Sequence, residues 1–187
     1  KTAFMGALTI AFSNAGAHPF LFAALAASAF GDLFLAYDKK WLVPLGILAF
    51  LAAQLAYFLI FMGLWFAAPD GSPHWPRYAA MALIVATSLG FLIWMAPKLG
   101  WIALGVVPYS LAITAMACMA MWLPWAGWPA MLGAVSFLVS DFALAVELFR
   151  LSADAPARRI TAPVVWWSYA TAQVLIVTGI TLAQPVS

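Results

Sequence analysis

The stretch LVPLGILAFLAAQLAYFLIFMGLWF, residues 42–66, decides the fold, because it carries no charged residue over its whole length. A helix needs about 20 apolar residues to cross the hydrocarbon core of a bilayer, and this run exceeds that length. Strands of a membrane barrel would alternate polar and apolar residues, whereas this run is almost continuously apolar. The stretch therefore predicts a membrane-spanning α-helix.

The composition extends this prediction to the whole chain. Of its 187 residues, 67% are hydrophobic and only 7% are charged, whereas a soluble domain carries roughly a quarter charged residues. We therefore expect an integral membrane protein. No basic patch is present, which excludes a nucleic-acid partner, and a single cysteine, Cys118, cannot form a disulfide within one chain.

Further apolar runs alternate with short loops that carry turn signals, such as DKK at 38–40 and PDGSPHWPR at 69–77. Short loops make neighbouring helices antiparallel, and no linker indicates a second domain. We predict an all-α, polytopic transmembrane helix bundle that forms one integral membrane domain over residues 1–187. Its seven predicted spans lie at about residues 2–15, 19–37, 41–66, 76–97, 99–123, 128–150 and 161–183.

The basic loop residues indicate the orientation. In an antiparallel bundle all but Arg77 fall on one side, which the positive-inside rule places in the cytoplasm. We therefore expect basic cytoplasmic loops and a location in a bacterial inner membrane. The residues on the basic side are Lys1, Lys39, Lys40, Lys98, Arg150, Arg158 and Arg159. Tryptophans near the predicted span ends suit an interfacial belt; they are Trp41, Trp75, Trp101, Trp125 and Trp128.

Two carboxyl groups interrupt the apolar runs. Asp32 lies in LAASAFGDLFLAY (25–37) and Asp141 in AVSFLVSDFALAV (134–146). At the rise of an α-helix they lie about 8 Å and about 14 Å inside the cytoplasmic ends of their spans. An acid in a spanning helix costs about 2.5–3.5 kcal/mol on insertion scales and usually marks a function. We predict that both are catalytic; the alternative is a structural role in hydrogen bonds between helices.

Other polar side chains recur at matching depths and predict a polar pocket around the two acids. Glu147, one turn from the cytoplasmic end, is expected to be a solvated rim acid. His18 and His74 lie in loops and no metal-ligand spacing occurs, so we expect no metal and no cofactor. The predicted substrate-binding residues are Gln54, Tyr57, Tyr109, Ser140, Tyr169 and Gln173.

Several segments, in order, resemble the YhhN-like membrane proteins, a family that includes lysoplasmalogenases. GDLFLAY (31–37) is similar to the family's G-D-x-x-L motif, and ILAFLAAQLAYFLIF (47–61) to its F-x-x-x-H-x-x-Y helix. GAVSFLVSDFALAVELF (133–149) and WSYATAQVLI (167–176) are similar to its S-D and A-Q segments. This chain has Gln54 where the family commonly has histidine, so a proton-transfer role of that histidine does not carry over.

The resemblance implies eight spans in the full-length protein, with one before Lys1. It also implies hydrolysis of the vinyl ether bond of lysoplasmalogens, with a lysophospholipid as substrate and a fatty aldehyde and a glycerophospho-base as products. The ethanolamine and choline head groups both remain open. The family's two acids map by motif onto Asp32 and Asp141.

A pair of carboxyl groups suits this chemistry. Vinyl ether hydrolysis needs a proton donor, a stabiliser for an oxocarbenium ion and a positioned water, and glycoside hydrolases meet similar needs with two carboxyl groups. One aspartate would be the acid and the other the base, without a preference from the sequence. Lys39 or Arg158 at the basic rim would hold the phosphate.

Three other functions fit parts of the pattern. A proton-coupled transporter would use the same acid pair as a relay, although no internal repeat is visible. An intramembrane aspartyl protease also uses two helix-borne acids, but FGD at 30–32 lacks the expected G-x-G-D. A structural or lipid-binding protein would use the acids as hydrogen-bonded contacts between helices.

Overall fold

The computed structural model describes residues 2–14, 19–37, 39–67, 75–152 and 154–184, and this part of the chain contains helices and no strand. Each predicted apolar segment overlaps one α-helix, so the all-α prediction is confirmed. Short 3-10 turns at residues 40–42, 100–102 and 125–127 lead into three of the helices. The helices are α1 (Thr2–Asn14), α2 (Pro19–Ala36), α3 (Val43–Ala67), α4 (Trp75–Leu99), α5 (Ala103–Ala120), α6 (Trp128–Phe149) and α7 (Arg158–Ala183).

The number of membrane crossings differs from the prediction. By length and composition, five segments of the described residues suit a crossing, and one of them, Trp75–Ala120, is 46 residues long and includes both α4 and α5. Helix α1 has only 13 residues and is not among the five. The integral membrane character is supported by these apolar helices, whereas the count of seven spans is not confirmed.

Large apolar side chains cover the outside of the bundle, as expected for a surface in contact with lipid. Leu104 is 84% exposed, and Leu83 and Ile93 are also exposed on α4. The tryptophans predicted at the interfaces are exposed at their helix ends, namely Trp41, Trp75, Trp101, Trp125 and Trp128. Lys39 and Lys98 are exposed as well, whereas Lys1 and the side chain of Lys40 lie outside the described part.

The exception to the charge pattern has a structural role. Arg77 is buried near the start of α4, and its Nη1 donates a hydrogen bond of 3.0 Å to the carbonyl oxygen of Leu123. Its guanidinium also lies 5.7 Å from the ring centre of Trp125. Leu123 follows the end of α5, where a cation is favourable because the last carbonyl groups of a helix carry partial negative charge.

The closest helix pair is α6 with α7, and glycines allow their approach. A Cβ atom at Gly179 would lie 2.2 Å from the backbone nitrogen of Ala130, and one at Gly133 would lie 2.8 Å from that of Ile176. These neighbours are backbone atoms, which cannot rotate away. The contact fixes the position of α7 against α6, and both helices carry candidate site residues.

We expect Gly179→Ala to destabilise the protein by about 1–3 kcal/mol, because the added methyl group pushes α6 and α7 apart. Gly90→Ala is the matched control, since a Cβ at that helical position meets nothing within 4 Å. That substitution is expected to stabilise slightly, because alanine favours a helix over glycine. Thermal unfolding in detergent measures both; a Gly179→Ala melting temperature at or above the native value would contradict the packing.

Candidate active site

The deeper of the two predicted acids lies against a tyrosine of the neighbouring helix. The hydroxyl of Tyr109 on α5 donates a hydrogen bond to Oδ2 of Asp141 on α6. Both side chains are only partly buried. Since a tyrosine hydroxyl is both donor and acceptor, Tyr109 can stay hydrogen-bonded to this carboxyl group and hold its orientation whether the group is protonated or ionised.

Asp141 and Tyr109 line a cavity of about 60 Å³ at the end of the bundle where α4 and α6 end and α3 and α5 begin. Asp141 is the only acidic residue among the described residues of its wall. On this wall Phe91 and Phe142 stack with ring centres 4.1 Å apart. The remaining lining residues, all but one apolar, are Leu35, Ile47, Phe50, Leu92, Met95, Val106, Ser110, Ile113, Leu144, Ala145, Leu148 and Phe149.

The second acid, Asp32 on α2, is 6% exposed and interacts with the hydroxyl of Tyr169 on α7. The Tyr169 ring is held edge-on by Phe50 and Phe137, at centre distances of 6.1 Å and 5.4 Å. Phe50 also lines the cavity, and a Cβ at Gly31 would fall 2.6 Å from its ring. Because Gly31 has no side chain, the Phe50 ring can pack closely against α2. The ring then lies between Tyr169, the partner of Asp32, and the cavity.

A buried hydrogen-bonded group joins three helices next to Tyr169. Tyr57 on α3 donates a hydrogen bond of 2.5 Å to Oε1 of Gln173 on α7. Nε2 of Gln173 donates in turn to Oγ of Ser28 on α2, at 3.3 Å. Tyr57, Gln173 and Ser28 are fully buried. Their hydrogen bonds hold α2, α3 and α7 together next to Tyr169.

Gln54 lies next to the hydrogen-bonded pair of Tyr109 and Asp141. It is fully buried on α3, and its amide lies beside the hydroxyl of Tyr109. Neither Nε2 nor Oε1 has a hydrogen-bond partner of standard geometry among the described residues. A buried amide without such partners costs about 1–3 kcal/mol, which makes Gln54 a candidate to bind water or a substrate oxygen.

Not every predicted residue faces this region. The hydroxyl of Ser140 donates to the carbonyl oxygen of Val165 at 3.0 Å and ties α6 to α7 instead of lining the cavity. Glu147 is 8% exposed, so the expectation of a solvated rim acid is wrong. It accepts a hydrogen bond from Thr161 because the start of α7 covers it.

Two contributors escaped the sequence analysis, namely Phe50 and Ser28. Ser28 lies one helical turn before Asp32 and therefore on the same face of α2, a spacing that would have indicated it. Within the described residues no group of three or more His, Cys, Asp or Glu could hold a metal ion; His18 and His74 lie outside these residues.

A sequence model of the YhhN family matches residues 1–180. The lysoplasmalogenases of Mycobacterium bovis and Mycobacterium tuberculosis are each 35% identical to the chain over 191 aligned positions. These alignments cover 96% of this chain and 69% of each relative. No solved structure matches the chain.

Proposed function

This chain belongs to the YhhN family, and on that premise we propose that it is a membrane hydrolase that cleaves the vinyl ether bond of lysoplasmalogens. The products would be a fatty aldehyde and a glycerophospho-base. The two curated relatives named lysoplasmalogenase support the reaction class. The observation that carries the assignment to residues is the carboxyl group of Asp141 in the wall of a largely apolar cavity.

Asp141 is the proton donor in this proposal, because it lines the cavity and Asp32 does not. Its carboxyl proton is transferred to the double-bond carbon that is not bonded to oxygen. The double-bond carbon that is bonded to oxygen then becomes the oxocarbenium carbon. The carboxylate that remains stabilises this cation at short range, where the surrounding apolar walls weaken electrostatic interactions little. Tyr109 keeps the carboxyl group oriented through both states.

Water completes the reaction. It adds to the oxocarbenium carbon and gives its proton to a carboxylate, and the hemiacetal that results collapses to aldehyde and glycerol hydroxyl. Gln54 is placed to hold this water beside Tyr109. Asp32, which interacts with Tyr169, accepts this proton through that hydroxyl or an intervening water, and the proton then returns to Asp141, so that both carboxyl groups regain their starting states. No atom is needed beyond substrate, water and these side chains.

The remaining predicted residues serve positioning in this proposal. Tyr57 and Gln173, hydrogen-bonded to Ser28, fix α2, which carries Asp32. Ser140 fixes α6 against α7. Arg158 donates hydrogen bonds to the carbonyl oxygens of Glu147 and Ser152, at 2.7 Å and 3.0 Å. Two of its guanidinium nitrogen atoms are therefore already engaged within the protein. The exposed Lys39 is the better partner for the substrate phosphate at the rim.

The proposed topology follows from helix length. A straight segment of the 46 residues in Trp75–Ala120 would be about 69 Å long, against a hydrocarbon core of about 30 Å. Gly100 adopts a positive φ of 52° in the turn between α4 and α5, and the two helices pack on each other. We therefore infer that α4 and α5 cross the membrane separately. The proposed topology also places the basic loops in the cytoplasm of a bacterium, with one integral membrane domain over residues 1–187.

Aldehyde release from purified, detergent-solubilised protein tests the activity. The substrate is an alkenyl lysophosphoethanolamine, with a choline analogue in parallel, and the control is the saturated alkyl ether lysolipid of equal chain length. Aldehyde from the alkenyl lipid alone is expected, because only a double bond can be protonated at carbon. Turnover confined to ester lysolipids would overturn the proposal.

Gln54→Leu is expected to separate activity from stability. Leucine has nearly the volume of glutamine, so the free energy of unfolding should change by less than about 1.5 kcal/mol. The same change should lower kcat by about tenfold or more, because the attacking water loses its partner. Thermal unfolding and aldehyde release on one preparation measure both. A variant with native kcat would remove Gln54 from the mechanism.

A further inference from the structure

A second cavity, of about 270 Å³, lies between α4 and α5. It is adjacent to the first cavity, because Leu92 and Ser110 line both. Ser110 directly follows Tyr109, the partner of Asp141. The second cavity therefore begins beside the pair of Tyr109 and Asp141.

The second cavity is a groove rather than a closed void. It runs from Leu92 to Val85 on α4 and from Ser110 to Cys118 on α5, which is about 10–12 Å at the helical rise. It lies on the side of the junction away from the Gly100 turn, towards the opposite face of the membrane. Leu89 is 47% exposed at its edge, so the groove opens to lipid.

Small side chains on both helices leave the groove empty. Ser88, Ser110 and Ala115 occupy positions where larger residues would fill it. Ser88 is 6% exposed, and its hydroxyl has no hydrogen-bond partner among the described residues. The groove therefore has room for an apolar chain that would gain dispersion contacts with both helices.

We propose that this groove, lined by Ser88, Leu92, Ser110, Ala115 and Cys118, binds the aliphatic chain of the substrate beyond its vinyl ether bond; this inference rests on the proposed function. An extended chain advances about 1.2 Å per bond, as an extended backbone does, so the groove holds about eight carbons. Its direction suits a lysolipid whose phosphate lies at the cytoplasmic rim and whose chain points into the bilayer. The groove selects for a long chain that enters sideways from lipid.

Chain-length selectivity of Ser88→Phe tests the groove, with hexadecenyl and butenyl lysolipids as substrates. The native protein should favour the long chain in kcat/KM by about tenfold or more, and the bulky residue should remove this preference. Ala115→Phe on the facing helix is a second blocking variant. Thr87→Phe is the matched control, because it adds the same ring at the exposed residue that directly precedes Ser88. A preference that survives in both blocking variants would overturn the proposal.

A binding measurement separates this inference from the reaction itself. Cys118 is the only cysteine of the chain and lies at the far end of the groove, so maleimide labelling reports occupancy. In a bile-salt detergent without a linear tail, a saturated hexadecyl ether lysolipid should slow labelling about tenfold and a butyl analogue should not. Protection without aldehyde release from the alkenyl lipid would retain the groove and reject the reaction. Equal labelling rates with both lipids would reject the groove, whatever the activity.

Discussion

Asp141→Asn is expected to lower kcat/KM for an alkenyl lysophospholipid by a factor of about 10²–10⁴, the usual contribution of a general acid. Asparagine has nearly the same shape and can still accept the hydrogen bond from Tyr109, but it has no proton to give to carbon. The loss should therefore fall on kcat, with the melting temperature close to that of the native protein.

Asp154→Asn is the matched control for this variant. Asp154 is an exposed acid in the loop before α7, and the same chemical change there should leave turnover within about twofold of native, since the residue is remote from the cavity. Aldehyde release by a folded Asp141→Asn protein at the control rate would remove this acid from the mechanism.

Asp32→Asn should lower kcat by about a hundredfold or more and change KM little, because Asp32 lines neither the Asp141 cavity nor the groove proposed for the chain. Tyr169→Phe removes the hydroxyl with which Asp32 interacts while retaining a ring between Phe50 and Phe137. It should therefore act in the same direction. Steady-state kinetics at saturating and limiting substrate measure both parameters.

The double variant of Asp32 and Tyr169 distinguishes a shared step from two separate structural effects. If the two groups act as one unit, the loss in the double variant is smaller than the product of the single losses. Losses that multiply, or a rise in KM with unchanged kcat in Asp32→Asn, would contradict the proton-accepting role. Matched melting temperatures exclude misfolding as the cause.

Local apolar length was enough to locate the helices. The predicted segment 41–66 covers α3 except for Ala67, and 128–150 contains α6, because each run is long, apolar and ended by charged or turn residues. The number of crossings was harder, since α4 and α5 are joined by a tight 3-10 turn at Gly100 without a polar loop. Length alone cannot tell one long segment from two antiparallel helices.

Several residues of the candidate site could be named from the sequence, but their arrangement could not be predicted. Depth along each helix brought Asp32, Asp141, Tyr109 and Tyr169 to one level of the bundle. Which acid meets which tyrosine depends on which helices are neighbours, and that follows from packing such as the contact at Gly179. Burial of Glu147 also escaped prediction, because it depends on the path of the chain before α7.

The most direct test of the central claim is the fate of solvent hydrogen in the product. Purified protein is given an alkenyl lysophosphoethanolamine in deuterium oxide, and the aldehyde is reduced at once to the alcohol and analysed by mass spectrometry. Proton transfer to the double bond predicts one deuterium on the carbon next to the former aldehyde carbon, and a rate of product formation by Asp141→Asn that is lower by a factor of about 10²–10⁴. Aldehyde without that deuterium, or labelled aldehyde from Asp141→Asn at the native rate, would contradict acid catalysis by this residue.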